Sequence, residues 1–291
     1  MNEEIFLPPR SFAGIPHQAA PFESAKVVIL PVPYDGTTEF KSGAREGPQA
    51  IIDASEYLEF YDIELDREIS EAGIHTLPEL QSHKGSPELM VKRVHGVVKG
   101  LIDKGKLPVM LGGEHSLTLG AVRAFREKYP QLSVLQLDAH ADLRDQYEGT
   151  KYNNACVMRR VWELCPIVPV GIRSFSLEEK RFMQQHKIES FYADDLTNPD
   201  YVSRVVSALS PQVYVSVDLD VFDPSIMSAV GTPEPGGLSW QQVLVLLKEV
   251  ARSRKVFGFD VMELCPREGP TSCTFLAAKL TYKLIGYATA F

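Results

Sequence analysis

The 291-residue sequence contains only four cysteines, and none of them forms a CxxC pair. So few cysteines exclude a disulfide-stabilised scaffold, and we expect reduced, buried thiols. Basic residues are also scarce, since 30 Lys and Arg stand against 38 Asp and Glu, for a formal net charge of −8. This balance disfavours a nucleic-acid partner or an anionic membrane surface, because both need a clustered basic face.

A long hydrophobic segment is also missing. No apolar run approaches the roughly 20 residues that cross a membrane. The acidic segment MNEEIFLPPR (1–10) lacks the apolar core of a signal peptide. We therefore expect a cytoplasmic protein that does not contact a membrane. At 44% hydrophobic residues the chain can bury a substantial core, and without repeats or linkers we predict one domain over 1–291.

Short apolar segments rich in β-branched residues alternate with amphipathic stretches, which predicts an α/β fold. The near-continuous hydrophobicity of the strands is typical of parallel strands buried on both faces. The predicted strands are 26–33, 107–113, 132–138, 167–173, 213–220 and 256–264. The predicted helices are 87–104, 116–128, 177–186, 200–209, 239–252 and 271–284.

Two further local predictions concern helix ends and packing. Ser239 and Gln242 have the spacing of a capping box at the start of a helix. Tyr57, Phe60 and Tyr61, in the segment ASEYLEFYD, are interpreted as packing residues of an N-terminal helix.

Three of the predicted strands end in side chains that commonly bind metal ions. These are His115 after LPVMLGGE, then Asp138, His140 and Asp142 in DAHAD, and Asp218 and Asp220 in VDLD. Alternate residues of an extended chain point to one side. Ligands of open parallel sheets bind at the carboxyl ends of the strands. We therefore expect these six side chains to converge on one site.

Four buried carboxylates would be too costly without cations. Two divalent ions would balance the four aspartates, and oxygen and nitrogen ligands without thiolates favour Mn²⁺, with Zn²⁺, Ni²⁺, Co²⁺ or Fe²⁺ as alternatives. Water between two such ions, about 3.5–4 Å apart, is acidic enough to supply hydroxide near neutral pH. The pattern predicts a hydrolase. A metallophosphoesterase would need basic residues for phosphate, and the motifs offer only Arg144 and Lys151.

These motifs resemble the signature segments of the ureohydrolase family, which includes arginases and agmatinases. The matching segments are GGEHS (112–116), DAHAD (138–142), SVDLDVFDPS (216–225), VPYDGTTEFKSGAREGPQAI (32–51), GTPEPGGLSW (231–240) and DVMELCP (260–266). The resemblance covers nearly the whole chain and is closest to agmatinases. It implies a three-layer α/β/α fold with a mostly parallel sheet of about eight strands, two Mn²⁺ per subunit, and a homo-oligomer of three or six chains.

The resemblance also implies individual roles. The implied metal ligands are His115, Asp138, His140, Asp142, Asp218 and Asp220. Asp138 and Asp220 would be the bridging carboxylates, and Glu263 would pair with the substrate guanidinium. Asp142 would take a proton from the nucleophile and deliver it to the leaving amine. The implied reaction converts a small cationic guanidino compound to urea and an amine, in polyamine metabolism.

The loop 143–155, LRDQYEGTKYNNA, bears on the substrate. Asp145 and Glu148 favour an amine tail, Arg144 would suit a carboxylate, and a solvated loop would explain all three. Agmatine or an N-aminopropyl derivative is the first expectation. Guanidinobutyrate, arginine, formiminoglutamate and guanidine are the alternatives.

The chain departs from the family pattern at Asn154, where relatives commonly carry a histidine that shuttles a proton or contacts substrate. Asparagine forms hydrogen bonds but does not titrate near neutral pH, and losing a general acid or base costs about 10²–10⁴-fold in rate. Three hypotheses stay open: Asn154 positions water in an ordinary ureohydrolase, the substrate is a different guanidino compound or amidine, or the protein is a weakly active guanidino-binding homologue.

Overall fold

The structure, a computed structural model, describes residues 10–291, with only the backbone of residues 196 and 197. The segment 1–9, which holds most of the region where we expected no signal peptide, lies outside the described residues. The strands are β1 (Val27–Val32), β2 (Tyr61–Asp62), β3 (Arg67–Glu68), β4 (Ile74–Thr76), β5 (Leu107–Gly112), β6 (Leu132–Leu137), β7 (Ile167–Ile172), β8 (Phe191–Tyr192), β9 (Gln212–Asp218) and β10 (Lys255–Met262).

Eight of these strands form one central sheet in the order β4-β1-β5-β10-β9-β6-β7-β8. Every pairing in this sheet is parallel, while β2 and β3 form a separate antiparallel pair. The strands β1, β5, β6 and β7 are buried along their whole length. Their continuous hydrophobicity therefore reflects a sheet covered on both faces.

The helices are α1 (Gly47–Ser55), α2 (Pro87–Asp103), α3 (Thr118–Lys128), α4 (Val157–Trp162), α5 (Leu177–His186), α6 (Tyr201–Ala208), α7 (Trp240–Ser253) and α8 (Thr271–Ala290). One hydrophobic cluster joins the sheet to α1, α6, α7 and α8. A second cluster joins it to α2, α3, α4 and α5. The predicted three-layer α/β/α fold with an eight-stranded parallel sheet is confirmed.

The six predicted strands and six predicted helices all form, with ends that shift by a few residues. The capping box is also present, since the Ser239 hydroxyl accepts from the Gln242 N–H and the Gln242 side chain accepts from the Ser239 N–H. The largest change is in α8, which continues to Ala290 instead of ending at residue 284. The sequence analysis gave no bounds for the N-terminal helix α1, and it did not identify α4, β2, β3, β4 or β8.

The aromatic residues after α1 correct one prediction. The helix ends at Ser55, so Tyr57, Phe60 and Tyr61 follow it rather than lie within it. Tyr57 is 80% exposed and Tyr61 is 50% exposed, and neither is a core residue. The interpretation of these three side chains as packing residues of an N-terminal helix is wrong, because the helix ends before its apolar face would include them.

Two further observations concern residues 10–291. All four cysteines are buried and none forms a disulfide. Within this range, no helix combines the length and apolar character needed to cross a membrane.

The strand order places the candidate site residues at the middle of the sheet. The strands β5, β10, β9 and β6 are consecutive neighbours. His115 follows β5, Glu263 follows β10, Asp218 ends β9 and Asp138 follows β6. Because parallel strands end at the same edge, four segments distant in sequence deliver polar side chains to one place.

Candidate active site

His115 lies at the centre of one group of acidic side chains. Its Nδ1 is 3.1 Å from Asp138 Oδ2, 3.1 Å from Asp142 Oδ2 and 3.4 Å from Asp218 Oδ2. All four side chains are buried. Potential ligand atoms of His115, Asp138 and Asp218 lie within 4.8 Å of one another, close enough to hold one metal ion.

His140 forms a second group that shares Asp138 with the first. The Nδ1 of His140 is 2.8 Å from Asp220 Oδ2 and 3.7 Å from Asp138 Oδ1. Potential ligand atoms of Asp138, His140 and Asp220 also lie within 4.8 Å of one another. Asp138 thus presents one oxygen to each group, while Asp220 belongs to the His140 group alone. A bridging role for Asp220 stays a prediction.

A buried chain of hydrogen bonds orients His115 from behind. Ser216 Oγ donates to Asp260 Oδ1 at 2.7 Å, and Asp260 Oδ2 also accepts from the hydroxyls of Tyr214 and Thr118. Because the Ser216 proton is used for Asp260, Ser216 Oγ accepts from Nε2 of His115, 2.9 Å away. In the neutral form of His115 the lone pair is therefore on Nδ1, and this is the form that binds a metal ion.

The donor set fits a cation. The Nδ1 of His115 is buried and has no hydrogen-bond partner among the described residues, although two carboxylate oxygens lie 3.1 Å away. A lone pair that faces carboxylates is unfavourable unless a positive charge lies between them. The ligands are imidazole nitrogens and carboxylate oxygens without thiolates, a combination that suits Mn²⁺ and related divalent ions.

The electrostatics of the carboxyl groups lead to the same conclusion. Burial, followed by the charge of Asp138, raises the pKa of Asp142 to about 7. Burial and the neighbouring Asp220 raise the pKa of Asp218 well above its usual range. Burial also disfavours ionised Asp220, but His140 outweighs it and lowers the Asp220 pKa to about 2. Cations between these groups would allow all of them to ionise together.

Two of the predicted site residues have an unusual backbone conformation. Asp142 has φ of 53° and Glu263 has φ of 67°, both in the left-handed region that side chains rarely adopt. The Glu263 N–H donates to the Gly113 carbonyl at 2.9 Å, and Glu263 Oε1 accepts from the His115 N–H at 2.6 Å. A Cβ at Gly113 would lie 1.9 Å from the carbonyl oxygen of Tyr34, so only glycine fits beside this strand end.

A small cavity of about 90 Å³ opens over the two groups. Such a volume admits several water molecules or one small planar group. It is lined by Thr38, Glu39, Phe40, Lys41, His115, His140, Asp142, Asn154, Ala155, Asp218, Asp220, Gly231, Thr232 and Glu263. Burial and the charge of Glu114 raise the pKa of Glu263 to about 8, so a cationic group in this cavity would favour its ionised form.

Comparison with known proteins places the chain in a family. Residues 25–286 match the sequence profile of the Arginase family. The chain belongs to the arginase family. An N(1)-aminopropylagmatine ureohydrolase of Synechocystis is 39% identical over 275 residues, which cover 91% of this chain and 90% of that protein. An agmatinase of Pyrococcus horikoshii is 40% identical over 270 residues, covering 91% and 92%.

Solved structures agree with this placement. An agmatine ureohydrolase of Thermoplasma volcanium superposes with a TM-score of 0.89 at 34% identity, over 99% of this chain and 97% of that chain. A proclavaminate amidino hydrolase of Streptomyces clavuligerus gives 0.87 at 30% identity, over 97% of both chains. The resemblance to ureohydrolases is confirmed. This arginase-family chain is an enzyme that hydrolyses linear amidines.

Asn154 of this arginase-family protein lines the cavity. Its Oδ1 is buried and has no hydrogen-bond partner among the described residues. Its backbone N–H donates to Thr37 Oγ1 at 3.1 Å. The Thr37 hydroxyl in turn donates to the buried Glu114 at 2.7 Å, which fixes the Asn154 backbone relative to the segment before His115. The side chain of Asn154 is therefore free to contact a ligand.

The charged residues of the loop 143–155 do not line the cavity. Arg144 stacks on Tyr147, with the guanidinium 4.7 Å from the ring centroid. Asp145 pairs with Arg160 at 2.8 Å. The charge of Glu148 acts on Glu39, which lines the cavity. Burial is the main cause that raises the pKa of Glu39, and the charge of Glu148 is the second. These side chains do not form the cavity wall, and their effect on the choice between an amine and a carboxylate tail stays a prediction.

The cavity mouth contains residues that the sequence analysis did not single out. Thr38, Glu39, Phe40 and Lys41 line it from the segment after β1. These residues belong to the segment 32–51, which resembles a ureohydrolase segment, so the resemblance could have pointed to them. Nothing in their spacing along the sequence indicates that they lie near His115. Glu234 lies near the opposite side, with Oε1 3.9 Å from Nε2 of His140.

Proposed function

We propose that this protein is a two-metal ureohydrolase that converts a small guanidino compound with a cationic tail into urea and an amine. The observation that carries the proposal is the shared carboxylate of Asp138, which lies in two adjacent groups that each contain a histidine and a second aspartate. A carboxylate shared between two groups of ligands favours two cations bound side by side.

The proposed cofactor is two Mn²⁺ per chain. His115, Asp138, Asp142 and Asp218 would hold one ion, and Asp138, His140 and Asp220 the other. When bound, such a pair lowers the pKa of water enough to supply hydroxide near neutral pH. The unpartnered Nδ1 of His115 supports this assignment.

The substrate head group would be bound by Glu263. Its carboxyl group is buried at the cavity wall, and its Oε1 is held by the His115 N–H at 2.6 Å. A guanidinium presents planar pairs of N–H donors that match a carboxylate. Glu263 would keep the guanidinium carbon in place and stabilise the positive charge on its nitrogens as the carbon becomes tetrahedral.

Asp142 would transfer the proton that the reaction requires. Its Oδ2 lies 3.1 Å from His115 Nδ1, and its side chain lines the cavity. It would accept a proton from the attacking water and deliver it to the amine nitrogen as the C–N bond breaks. Asn154 would bind substrate or water through its free amide oxygen, since an amide does not exchange protons in this pH range.

An amine tail suits the cavity better than an anionic tail or a phosphate. Lys41 is the one lysine or arginine among the described residues that line the cavity, and its ammonium already pairs with Glu268. Glu39 adds a carboxylate at the mouth. We therefore propose agmatine or an N-aminopropyl derivative as substrate, in polyamine metabolism. The relatives named agmatinase and N(1)-aminopropylagmatine ureohydrolase support this choice.

Urea release from Mn²⁺-loaded protein tests the proposal. The panel is agmatine, N-aminopropylagmatine, arginine, guanidinobutyrate and guanidine, with Asn154→His assayed in parallel. Turnover of one amine-tailed compound by the unmodified chain is the expected result. Activity on arginine or guanidinobutyrate alone would reject the amine tail. No turnover by the unmodified chain, with activity only in Asn154→His, would reject catalysis as the native role.

We further propose that residues 1–291 act as one domain in a cytoplasmic homo-oligomer of three or six chains. The central sheet, which joins strands from residues 27 to 262, supports the single domain. Analytical ultracentrifugation tests the assembly, and a monomer at micromolar concentration would overturn it.

A further inference from the structure

Arg173 joins separate segments at the active-site edge of the sheet. It follows β7, and its guanidinium donates to backbone carbonyl groups of two loops. Nη2 lies 2.6 Å from the Asp220 carbonyl oxygen and 2.8 Å from that of Glu234. Nε donates to the Pro235 carbonyl at 3.1 Å, and Nη1 to the Gly171 carbonyl at 3.1 Å. One side chain thus fixes two loops against the end of β7.

The backbone at Arg173 holds a third segment. The N–H groups of Arg173 and Ser174 both donate to the Ala139 carbonyl, at 2.8 and 2.9 Å. The Ala139 N–H donates to Asp220 Oδ1 at 2.9 Å. Because Ala139 immediately precedes His140, the same residue anchors the segment that carries this imidazole.

These contacts converge on His140. Asp220 Oδ2 lies 2.8 Å from Nδ1 of His140, and Glu234 Oε1 lies 3.9 Å from Nε2. The two ring nitrogens of His140 therefore face the carboxylates of Asp220 and Glu234. The backbone carbonyl groups of the same two residues accept hydrogen bonds from the Arg173 guanidinium. In the described part of the chain, His115 and Asp218 receive no hydrogen bond from Arg173, so the two halves of the site differ in this support.

We propose that Arg173 is a positioning residue that fixes the His140 half of the two-metal site by holding Asp220 and Glu234 on either side of the imidazole. The inference rests on the proposed function, since it presumes metal ions at these groups. A lysine would supply charge and three donors, but it lacks the planar array that reaches several carbonyl groups at once. The guanidinium geometry, beyond its charge, is the expected requirement.

Mn²⁺ binding to the metal-free full-length protein tests the inference without reference to activity. Calorimetric titration of the unmodified chain should give two Mn²⁺ per chain. In Arg173→Met one ion should bind as before, while the second should bind about 10–100-fold more weakly, the usual effect of losing a group that orients a metal ligand. Arg173→Lys should weaken the second ion by a smaller factor, about 3–10-fold.

Arg254 provides a matched control. Its guanidinium also donates to backbone carbonyl groups, of Leu209 at 3.0 Å and Val206 at 2.7 Å, but it precedes β10 and lies at the opposite edge of the sheet. Arg254→Met should retain both affinities even where its melting temperature falls. In a His140→Ala background, Arg173→Met should cause no further weakening, because the affected site is already lost.

The outcomes separate the two proposals. Failure of the unmodified chain to bind two Mn²⁺ would overturn the two-metal function itself. Two normal sites in Arg173→Met, or equal weakening of both sites, would overturn the role of Arg173 and leave the function standing. Circular dichroism and cooperative melting verify folding, and if Arg173→Met does not fold, the weakening in Arg173→Lys decides.

Discussion

The Oγ of Ser216 lies 2.9 Å from Nε2 of His115, on the side of the imidazole away from the acidic cluster. The serine proton is committed to Asp260 at 2.7 Å, so the serine accepts from the imidazole. The core of the sheet therefore selects the tautomer of a candidate metal ligand. Neither a longer nor a non-polar side chain at position 216 would keep this hydrogen bond with His115.

Replacing Ser216 by alanine should weaken Mn²⁺ binding about 10–100-fold, because the imidazole loses the partner that sets its tautomer and orientation. Competition with a fluorescent metal indicator measures the affinity. Ser133→Ala is the control, since the buried Ser133 hydroxyl accepts from the Ser210 N–H at 3.0 Å near the other end of β6. Unchanged Mn²⁺ affinity in Ser216→Ala would show that the hydroxyl does not orient His115.

Substitutions at the two adjacent asparagines Asn153 and Asn154 should have different effects, the first on stability and the second on catalysis. The buried Asn153 caps a helical turn, accepting from the Ala155 N–H at 2.8 Å and donating to the Thr37 carbonyl at 3.3 Å. Asn153→Ala should lower the free energy of unfolding by about 1–2 kcal/mol. Asn154→Ala should change it by less than about 0.5 kcal/mol, because the Asn154 side chain makes no hydrogen bond in the described part of the chain and only its backbone contacts Thr37.

The expected kinetic effect of Asn154→Ala is a fall of about 3–10-fold in kcat/KM, the loss of one neutral hydrogen bond to substrate or water. Denaturant unfolding and urea-release kinetics on both variants test the pair. A stability loss in Asn154→Ala equal to that of Asn153→Ala would contradict the assignment of its side chain to the ligand.

The site was predictable from the sequence where chemistry and strand periodicity coincide. Asp138, His140 and Asp142 alternate at the end of an apolar strand, and Asp218 and Asp220 repeat the pattern. Parallel strands bring such ends to one edge. The structure places all of them except Asp138 around one cavity with His115 and Glu263, and the buried Asp138 lies 3.1 Å from Nδ1 of His115.

The remaining parts depend on tertiary contacts that local pattern does not encode. Arg173 was predicted only as the end of a strand, and its carbonyl partners at Asp220 and Glu234 are 47 and 61 residues away. The strands β4 and β8 contain three and two residues, too few for a periodic signal. Tyr57 failed as a core residue because aromatic content alone does not show where a helix ends.

Removing and restoring metal should change stability as well as activity. Protein stripped with a chelator should gain about 5–8 kcal/mol in unfolding free energy when Mn²⁺ reaches 100–1,000 times the dissociation constant of each of the two sites, or about 9–13 °C in melting temperature. Asp138→Asn should lose most of this gain, since Asp138 serves both groups. Asp223→Asn, with a half-buried carboxylate that accepts from the Gly236 N–H at 2.9 Å, should respond like the unmodified chain. An equal response in Asp138→Asn would reject its shared role.

Acid should expose the contribution of Glu64, far from the cavity. Although burial disfavours its ionised form, hydrogen bonds from Lys283, Tyr287 and Lys248 lower the Glu64 pKa from 4.5 to about 2. A pKa depressed by folding stabilises the protein above the unfolded value, and this stabilisation is lost as pH falls from about 4.5 to about 2. Because the side chain is one-third exposed, Glu64→Gln should cost only about 1–2 kcal/mol at pH 7. Denaturant unfolding should show this deficit shrinking towards pH 3, while the exposed Glu59→Gln shows little at either pH; a deficit independent of pH would reject the charge-based origin.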